Sequence, residues 1–416
     1  MECTNILAGA ATVDITPDLP TELAGLRRGT KRASSASDAL EANILTFRIA
    51  DRAVALVSLD LLYPGAALRE SIMRQCRLHE EQLLLTATHT HSAPMTQFGM
   101  NVLGIPDPAY VSRIADLISR EVLGSMADMT PCMLSYCEGQ ADHSINRRFT
   151  RWRFYPGSLG RRCDIAPDPT GCRDERLRML KVTRPDGSAA AFLWNYACHP
   201  NSYPDRHQIS PDYPGIVRRH LRERFGAVPT LFMNGFSGNT RPPFIDHRKN
   251  LSSVALNLIY GPRFRTPNVV EWTRWAESLS RVVIRIAEQQ GTYVSCSQVR
   301  SARCSLPLAD ITDGSDQQPD LVVQGIRLGD VCILGMNVEP AVEYQVKLAR
   351  VMNPWMTFAT GCIDQTLGYL PTEIMLDEGG YEVEGFRKAF GFTGSYRAGF
   401  EHRIEQTFVK IREALL

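Results

Sequence analysis

The amino-acid sequence predicts one large α/β domain in which mixed β-sheets are flanked by helices. Short apolar runs typical of buried strands recur along the 416 residues, and they alternate with segments of helical spacing. Between Ala53 and His89 the order is strand, helix, strand, which indicates a parallel crossover within one sheet. No internal repeat, low-complexity tract or shift in composition divides the chain, so we expect the domain to span residues 1–416.

The overall composition and charge exclude several classes of function. The chain is 44% hydrophobic and 22% charged, which is typical of globular proteins. The net charge of +1 provides no long-range attraction to nucleic acid or to a membrane surface. No run of about 18 apolar residues occurs, so we expect no membrane insertion. We therefore expect no nucleic-acid partner and leave the oligomeric state open.

The cysteines and the first residues predict a cytoplasmic location. The 11 cysteines are scattered and form no C-x-x-C pair, which favours reduced thiols over a disulfide framework. The start of the chain also lacks the basic and apolar parts of a secretory signal.

The predicted elements follow from turn signals and from the spacing of apolar residues. Turns at Asp51-Arg52 and at Pro185-Asp186-Gly187 each join two apolar runs into a hairpin. Strands are predicted at residues 8–16, 43–49, 53–59, from 83 to before 89, and at 132–136, 177–183, 190–196, 229–233, 293–306, 321–328, 331–337 and 356–362. Helices are predicted at residues 65–78, 108–126, 216–225, 269–290 and 341–352, and from about 399 onward.

Residues 142–176 are predicted to be a long irregular segment. They contain eight arginines, the first at Arg147 and the last at Arg176. Long segments without regular structure inside a compact domain are usually functional or disordered. A solvated basic flap and an anion-binding lid both fit this pattern.

Two apolar runs end in histidines that are followed closely by proline. The first run leads into His89-Thr90-His91, and the second ends at His199-Pro200. In an extended segment residues two apart face the same side, so His89 and His91 are expected to point together from the strand end. A catalytic zinc ion takes about three protein ligands, mainly histidines and carboxylates. With Glu339 after the predicted strand 331–337, the sequence predicts a metal site, although a histidine at a strand end is often only hydrogen-bonded.

Competing catalytic motifs fail. The segment Gly235-Phe236-Ser237-Gly238-Asn239 lacks the final glycine of a nucleophile elbow, and we expect a tight turn there. No dinucleotide fingerprint and no phosphate-binding loop motif is present.

Seven short segments occur together in the order found in one known family, and they cover nearly the whole chain. The segments are GAATVDITP at 9–17, THTHSAP at 88–94, INR at 145–147, CHPNS at 198–202, ISPD at 209–212, GN at 238–239 and GYLPT at 368–372. The chain thereby resembles the neutral/alkaline, non-lysosomal ceramidase family in its N-terminal catalytic domain. Members of that family are zinc-dependent amidases that cleave the N-acyl bond of ceramide.

The resemblance implies a role for each matching residue. The zinc ligands would be His89, His199, Glu339 and Tyr369. His91 would supply a hydrogen bond or a proton, Arg147 would hold the reacting group, and Tyr381 would be a further tyrosine of the site.

The chain departs from the family pattern in three ways. Arg241 stands where the family has a serine, and a guanidinium group favours a carboxylate or another anion. We also expect a short form without the family's C-terminal immunoglobulin-like domain and secretory signal. No apolar stretch that would grip a membrane lipid is evident. The expected substrate is therefore small, soluble and anionic rather than ceramide.

These features predict hydrolysis of an amide at a zinc site. His91 would protonate the leaving nitrogen, while Arg147 and Arg241 would orient an anionic group or stabilise the developing oxyanion. Asp60 and Asp212 would either hydrogen-bond the ligating imidazoles or serve as helix-cap and turn residues. Ester or lactone cleavage, an intramolecular acyl transfer, and a non-catalytic ligand-binding protein with a structural metal are the alternatives.

Overall fold

The computed structural model describes residues 6–25, 32–155, 158–247, 261–314 and 318–416. Its longer strands are β1 (Leu7–Asp14), β2 (Glu41–Ile49), β3 (Arg52–Leu59), β4 (Leu83–Ala87), β5 (Met133–Gln140), β6 (Ile145–Tyr155), β7 (Ser158–Asp168), β8 (Arg176–Thr183), β9 (Ala189–Tyr196), β10 (Thr230–Asn234), β11 (Val299–Leu306), β12 (Leu321–Leu328), β13 (Val331–Met336) and β14 (Met356–Thr360). Its helices are α1 (Ala66–Cys76), α2 (Pro108–Ala127), α3 (Tyr213–Phe225), α4 (Val269–Ala287), α5 (Tyr344–Met352), α6 (Glu373–Glu378), α7 (Arg387–Phe390) and α8 (Phe400–Ala414).

Short two-residue strands complete the sheets. They lie at Thr21–Glu22, Arg32–Ala33, Ser35–Ala36, Thr130–Pro131, Gln208–Ile209, Thr240–Arg241, Thr292–Tyr293, Thr312–Asp313, Glu339–Pro340, Tyr369–Leu370 and Ser395–Tyr396.

Three main sheets share one plan. Their strand orders are β4-β3-β2-β1, β10-β9-β8-β5 and β11-β12-β13-β14. Each is mostly antiparallel, but the pairs β3/β4, β9/β10 and β13/β14 are parallel and lie at a sheet edge. Parallel neighbours need a crossover, and α1, α3 and α5 supply one each. The strand–helix–strand crossover predicted between Ala53 and His89 is therefore confirmed.

The second strand of each parallel pair is packed on both faces. Every residue of β4 and β10 is buried, and four of the five residues of β14 are buried. Strands of that kind have continuous apolar runs rather than alternating patterns. Side chains from all three sheets meet in one cluster that includes Leu84, Leu231 and Phe358. The described residues thus form one α/β domain of mixed sheets and helices, as the sequence predicted.

The arginine-rich segment is not irregular, so that prediction was wrong. Strands β6 and β7 form a long antiparallel hairpin. Its outer part is solvated, and Trp152 is 65% exposed. A strand without one buried apolar face lacks the alternation that identifies strands in a sequence.

Helix α3 begins earlier than expected. The prediction started at Ile216, but the helix starts at Tyr213 because Asp212 caps its first turn through a hydrogen bond from the Tyr213 amide, 2.6 Å long. Pro214 then occupies the first turn, where its missing N–H costs nothing. No helix within the described ranges is long and apolar enough to cross a bilayer.

Candidate metal centre

The carboxyl ends of the three parallel pairs meet at one place. Threonine hydroxyls join the pairs, since Thr86 Oγ1 lies 3.2 Å from Thr360 Oγ1, and Thr360 Oγ1 donates to the Asn234 carbonyl at 3.0 Å. Asn195 on β9 donates to the carbonyls of Met233 and Ala359 at 2.7 and 2.8 Å. Binding groups in α/β proteins lie at such strand ends. The loops that follow these strands therefore open into a common site.

Three ionisable side chains converge there, one from each pair. His89 follows β4, His199 follows β9 and Glu339 follows β13. His89 Nε2 lies 2.8 Å from His199 Nε2, and Glu339 Oε2 lies 3.4 and 3.7 Å from these two nitrogens. Two nitrogens bound to one tetrahedral zinc ion are roughly 3.3 Å apart. All three residues are almost completely buried.

The other ring nitrogens fix the direction of both imidazoles. His89 Nδ1 lies 3.1 Å from the Leu62 carbonyl oxygen, and His199 Nδ1 lies 3.1 Å from the Ser237 carbonyl oxygen. A carbonyl only accepts, so each Nδ1 carries the proton and each neutral ring turns an Nε2 lone pair toward the other. Two lone pairs at that distance repel each other unless a cation lies between them. The site is therefore built for a positive charge.

The pKa values of the two histidines are shifted in opposite directions. Burial opposes the charged form of His89, but the neighbouring Cys362 and Glu339 outweigh burial and raise the pKa of His89 well above its ordinary value. Burial, followed by the charges of His89 and Arg147, lowers the pKa of His199 well below its ordinary value. The two imidazoles therefore differ in their electrostatic surroundings.

Two tyrosines support the Glu339 carboxylate. Tyr63 donates to Glu339 Oε1 at 2.6 Å, while Oε2 faces the imidazoles. A short parallel bridge sets Glu339 beside Tyr369. Burial raises the pKa of Glu339, but His89, Tyr369 and Tyr63 outweigh it and lower that pKa below its ordinary value. The predicted ligand Tyr369 is therefore next to the carboxylate.

Cys362 contacts the same cluster from another side. Its Sγ lies 3.5 Å from His89 Nδ1, the nitrogen that points away from His199. His89, Glu339 and Cys362 also have potential ligand atoms within 4.8 Å of one another. His89 Nδ1 carries the proton that it donates to the Leu62 carbonyl. Its Nε2, which faces His199, is therefore the nitrogen that could bind a metal.

His91 lies beside both histidines. Its ring centroid is 5.1 Å from that of His89 and 5.3 Å from that of His199. It remains partly exposed to a cavity that also reaches Arg147. Gly25 leaves room for the His91 ring, because a Cβ at residue 25 would lie only 2.8 Å from His91 Nδ1. The φ of Gly25 is +109°, a conformation that favours glycine.

Arg147 is held at the base of the β6/β7 hairpin. Its Nε donates to Glu382 Oε1 at 2.8 Å, and its Cζ is 5.5 Å from the centroid of Tyr369 and 5.8 Å from that of Tyr381. Burial lowers the pKa of Arg147, but Tyr369 and Glu382 outweigh burial and raise it. The neighbouring Arg148 shares Glu382 at 2.9 Å. The guanidinium group is thus fixed and charged beside the tyrosines.

The cavity above the cluster has a volume of about 420 Å³. His91, His199, Arg147, Arg241, Tyr369 and Tyr381 line it. Six of the eight residues that the sequence analysis assigned to the site therefore face one cavity, and His89 and Glu339 lie directly beneath it through their contacts with His199.

The two aspartates do not orient the imidazoles. Asp60 pairs with Arg218 at 2.7 Å and accepts from the Glu41 amide at 2.9 Å. Asp212 caps α3 and also accepts from the Ser202 and Tyr203 amides. The expected hydrogen bonds to His89 and His199 come instead from the backbone carbonyls of Leu62 and Ser237. Asp212 is therefore a helix-cap residue, the second of the two roles considered for it.

The loop Gly235–Asn239 is a turn that serves the site through its backbone. Its Ser237 carbonyl accepts a hydrogen bond from His199 Nδ1. Gly238 packs so closely that a Cβ there would lie 2.7 Å from the Glu339 carbonyl oxygen. This agrees with the expected tight turn and gives the Ser237 hydroxyl no nucleophilic role.

The backbone is strained at two contact residues of the cluster. His89 and Cys362 have φ values of +68° and +55°, in the left-handed region that side chains other than glycine seldom adopt. Such conformations cost roughly 1–3 kcal/mol each and are common at functional sites.

Sequence reasoning missed Tyr63, Cys362 and Glu382. Tyr63 and Cys362 follow strands β3 and β14 without a motif of their own. Glu382 lies beside the predicted Tyr381, and an acid next to a site tyrosine could have indicated a partner for Arg147.

The fold of this chain is similar to that of ceramidases of known structure. The chain is similar to neutral ceramidase from Pseudomonas aeruginosa, with a TM-score of 0.76, 16% sequence identity, and coverage of 99% of this chain and 75% of that chain. A ceramidase complexed with C2 matches with a TM-score of 0.74, the same identity and the same coverage. No protein-family model and no curated protein matches the sequence. The likeness confirms a neutral-ceramidase-like fold.

Proposed function

We propose that this protein is a zinc-dependent amidohydrolase that cleaves an N-acyl bond in a small-molecule substrate. The observation that carries the proposal is the convergence of His89 Nε2, His199 Nε2 and Glu339 Oε2 in a buried site under a cavity. Two imidazole lone pairs and a carboxylate oxygen form a donor set that zinc prefers. Tyr369, beside Glu339, would complete the set.

The fold supports amide chemistry. Two structural neighbours are ceramidases, which are hydrolases of amide bonds. When bound, zinc acidifies a water molecule and polarises a carbonyl group. His199 and Tyr369 line the cavity, so water and a substrate would reach a metal held by these residues, as catalysis requires.

Three other residues are proposed to act on the substrate itself. His91, at the cavity edge of the cluster, would donate a proton to the leaving nitrogen. Arg147 is charged and immobilised by Glu382, so it would hold the scissile carbonyl oxygen as negative charge develops. Tyr381, 5.3 Å from Tyr369 between ring centroids, would add a hydrogen-bond donor at the same side.

We also propose a cytoplasmic location. The support is chemical, because the ten cysteines of the described ranges are all free, as expected in a reducing compartment.

A substrate panel tests the reaction. The zinc-loaded protein should cleave small N-acyl amides, and His91→Gln should lower kcat by roughly 10²–10⁴-fold while zinc content stays unchanged. His207→Gln, at an exposed position, serves as the matched control. Exclusive turnover of esters or lactones would show that the enzyme is an esterase or lactonase instead of an amidase. No turnover of any member would favour a non-catalytic ligand-binding protein.

A further inference from the structure

We propose that Arg241 binds a carboxylate of the substrate next to the scissile amide, so that the enzyme selects carboxylate-bearing amides over neutral ones. This inference rests on the proposed amide hydrolysis and names the substrate class of the same site.

Arg241 is fixed close to the metal-binding cluster by its backbone. The preceding residue, Thr240, accepts a hydrogen bond from the His199 amide at 3.3 Å. Arg241 itself pairs with Ile145 at the start of β6, two residues before Arg147. Arg241, His199 and Arg147 consequently line the same cavity. A group held by Arg241 would therefore lie within a few bonds of a carbonyl at the cluster.

The guanidinium group of Arg241 forms no direct ion pair with an acid in the described part of the chain. Its Nη2 reaches Ser202 Oγ at 3.4 Å, its Cζ lies 4.4 Å from the centroid of Phe264, and its Nε is buried without a hydrogen-bond partner. Burial, followed by the charge of Arg147, lowers the pKa of Arg241 to about 10. Asp212 and Cys198 offset only part of this shift. The side chain is half-buried and still charged at neutral pH, and a largely desolvated charge without a directly paired counter-ion is costly.

The rest of the cavity lining agrees with an anionic ligand. Four arginines line it, namely Arg147, Arg206, Arg241 and Arg265, and its described lining contains no aspartate or glutamate. Arg147 and Arg265 are already paired with Glu382 and Glu271. Arg206 is exposed to solvent, so Arg241 is the half-buried arginine of the four that forms no described ion pair. Its N–H donors fit a carboxylate.

The size of the cavity limits the substrate. A volume of about 420 Å³ lies toward the lower end of the range for small-molecule sites. The chemistry that fits is an N-acyl amino acid or an amide of a dicarboxylic acid. In the first the carboxylate lies on the amine side, and in the second it lies on the acyl side.

Paired substrates test this inference. The amine-side pair is N-acetylglycine and N-acetylglycinamide, and the acyl-side pair is N-succinyl-p-nitroaniline and N-butyryl-p-nitroaniline. For at least one pair we expect kcat/KM to be roughly a hundredfold higher for the carboxylate member, mostly through KM. Arg241→Gln should remove the preference while zinc content stays unchanged, Arg241→Lys should restore part of it, and Arg300→Gln on β11 should retain it.

The outcomes separate this inference from the proposed function. Equal cleavage of both members of both pairs would overturn the carboxylate subsite and leave amide hydrolysis standing. If no member is cleaved, calorimetry of N-acetylglycine and of succinate binding to the zinc-loaded protein tests whether Arg241 binds a carboxylate. Binding that Arg241→Gln abolishes would support the subsite even without turnover, and equal or absent binding in wild type and variant would overturn it.

Discussion

At the scale of single residues, the cluster depends on groups that orient its ligands. The two imidazoles are directed by the carbonyls of Leu62 and Ser237, and the carboxylate of Glu339 is held by Tyr63. Hydrogen bonds of this kind fix the tautomer of a histidine and the rotation of a carboxylate. The spacing of His89, His91 and His199 indicated the ligands, but nothing in the sequence around Tyr63 indicated its role.

Replacing Tyr63 with Phe should weaken metal binding without unfolding the protein. The change removes only the hydroxyl that donates to Glu339 Oε1 at 2.6 Å, so the carboxylate loses its orientation. Loss of such a supporting group typically lowers metal affinity 10–100-fold. Competition with a chelator of known zinc affinity measures the effect. Tyr110→Phe, whose hydroxyl donates to the Ile15 carbonyl, is the control, and an affinity equal to wild type for Tyr63→Phe would contradict this role.

At the scale of elements, ion pairs connect the crossover helix α3 of one sheet to strand β2 of another. Glu41 on β2 accepts from Arg222 at 2.7 and 2.8 Å and lies 3.1 Å from Arg218 Nε. Burial raises the pKa of Glu41, but Arg222 and Arg218 outweigh burial and lower it below 4.5. The folded state therefore prefers the ionised carboxylate.

Glu41→Gln should destabilise the protein in a pH-dependent way. A carboxylate with a lowered folded pKa contributes stability above its ordinary value of 4.5, and this contribution is lost as pH falls through the folded pKa. We expect a loss of about 2 kcal/mol at pH 7, as for hydrogen bonds to charged groups, and a smaller difference below pH 4.5. Thermal unfolding at several pH values measures it against Glu223→Gln, an exposed position on α3. A difference independent of pH would contradict the assignment.

Strands and helices with buried faces were predictable, and solvated ones were not. Strand β12 has the predicted bounds, and β9 and α2 differ by one residue at an end, because their apolar periodicity reports burial directly. The β6/β7 hairpin was missed because its arginines are stabilised by acids distant in sequence. Arg148, for example, pairs with Glu378 and Glu382. Such pairing depends on tertiary structure and leaves no local pattern.

At the scale of the whole molecule, the site exists only when three sheets are assembled. His89, His199 and Glu339 belong to three different parallel pairs, and hydrogen bonds such as that from Thr360 to the Asn234 carbonyl join these pairs. The sequence predicted the residue types of the proposed site and the strand ends that carry them. Local sequence patterns do not indicate which sheets meet. The expectation that these residues come together was based on the resemblance to a family. Metal binding should accordingly be coupled to global folding.

The zinc content of purified protein tests the central claim most directly. Elemental analysis should find about one zinc per chain in the wild type, and His89→Ala and His199→Ala should each lose it while circular dichroism confirms folding. His207→Ala, at an exposed position, should retain the metal. Full zinc content in both His89→Ala and His199→Ala would contradict the proposed centre.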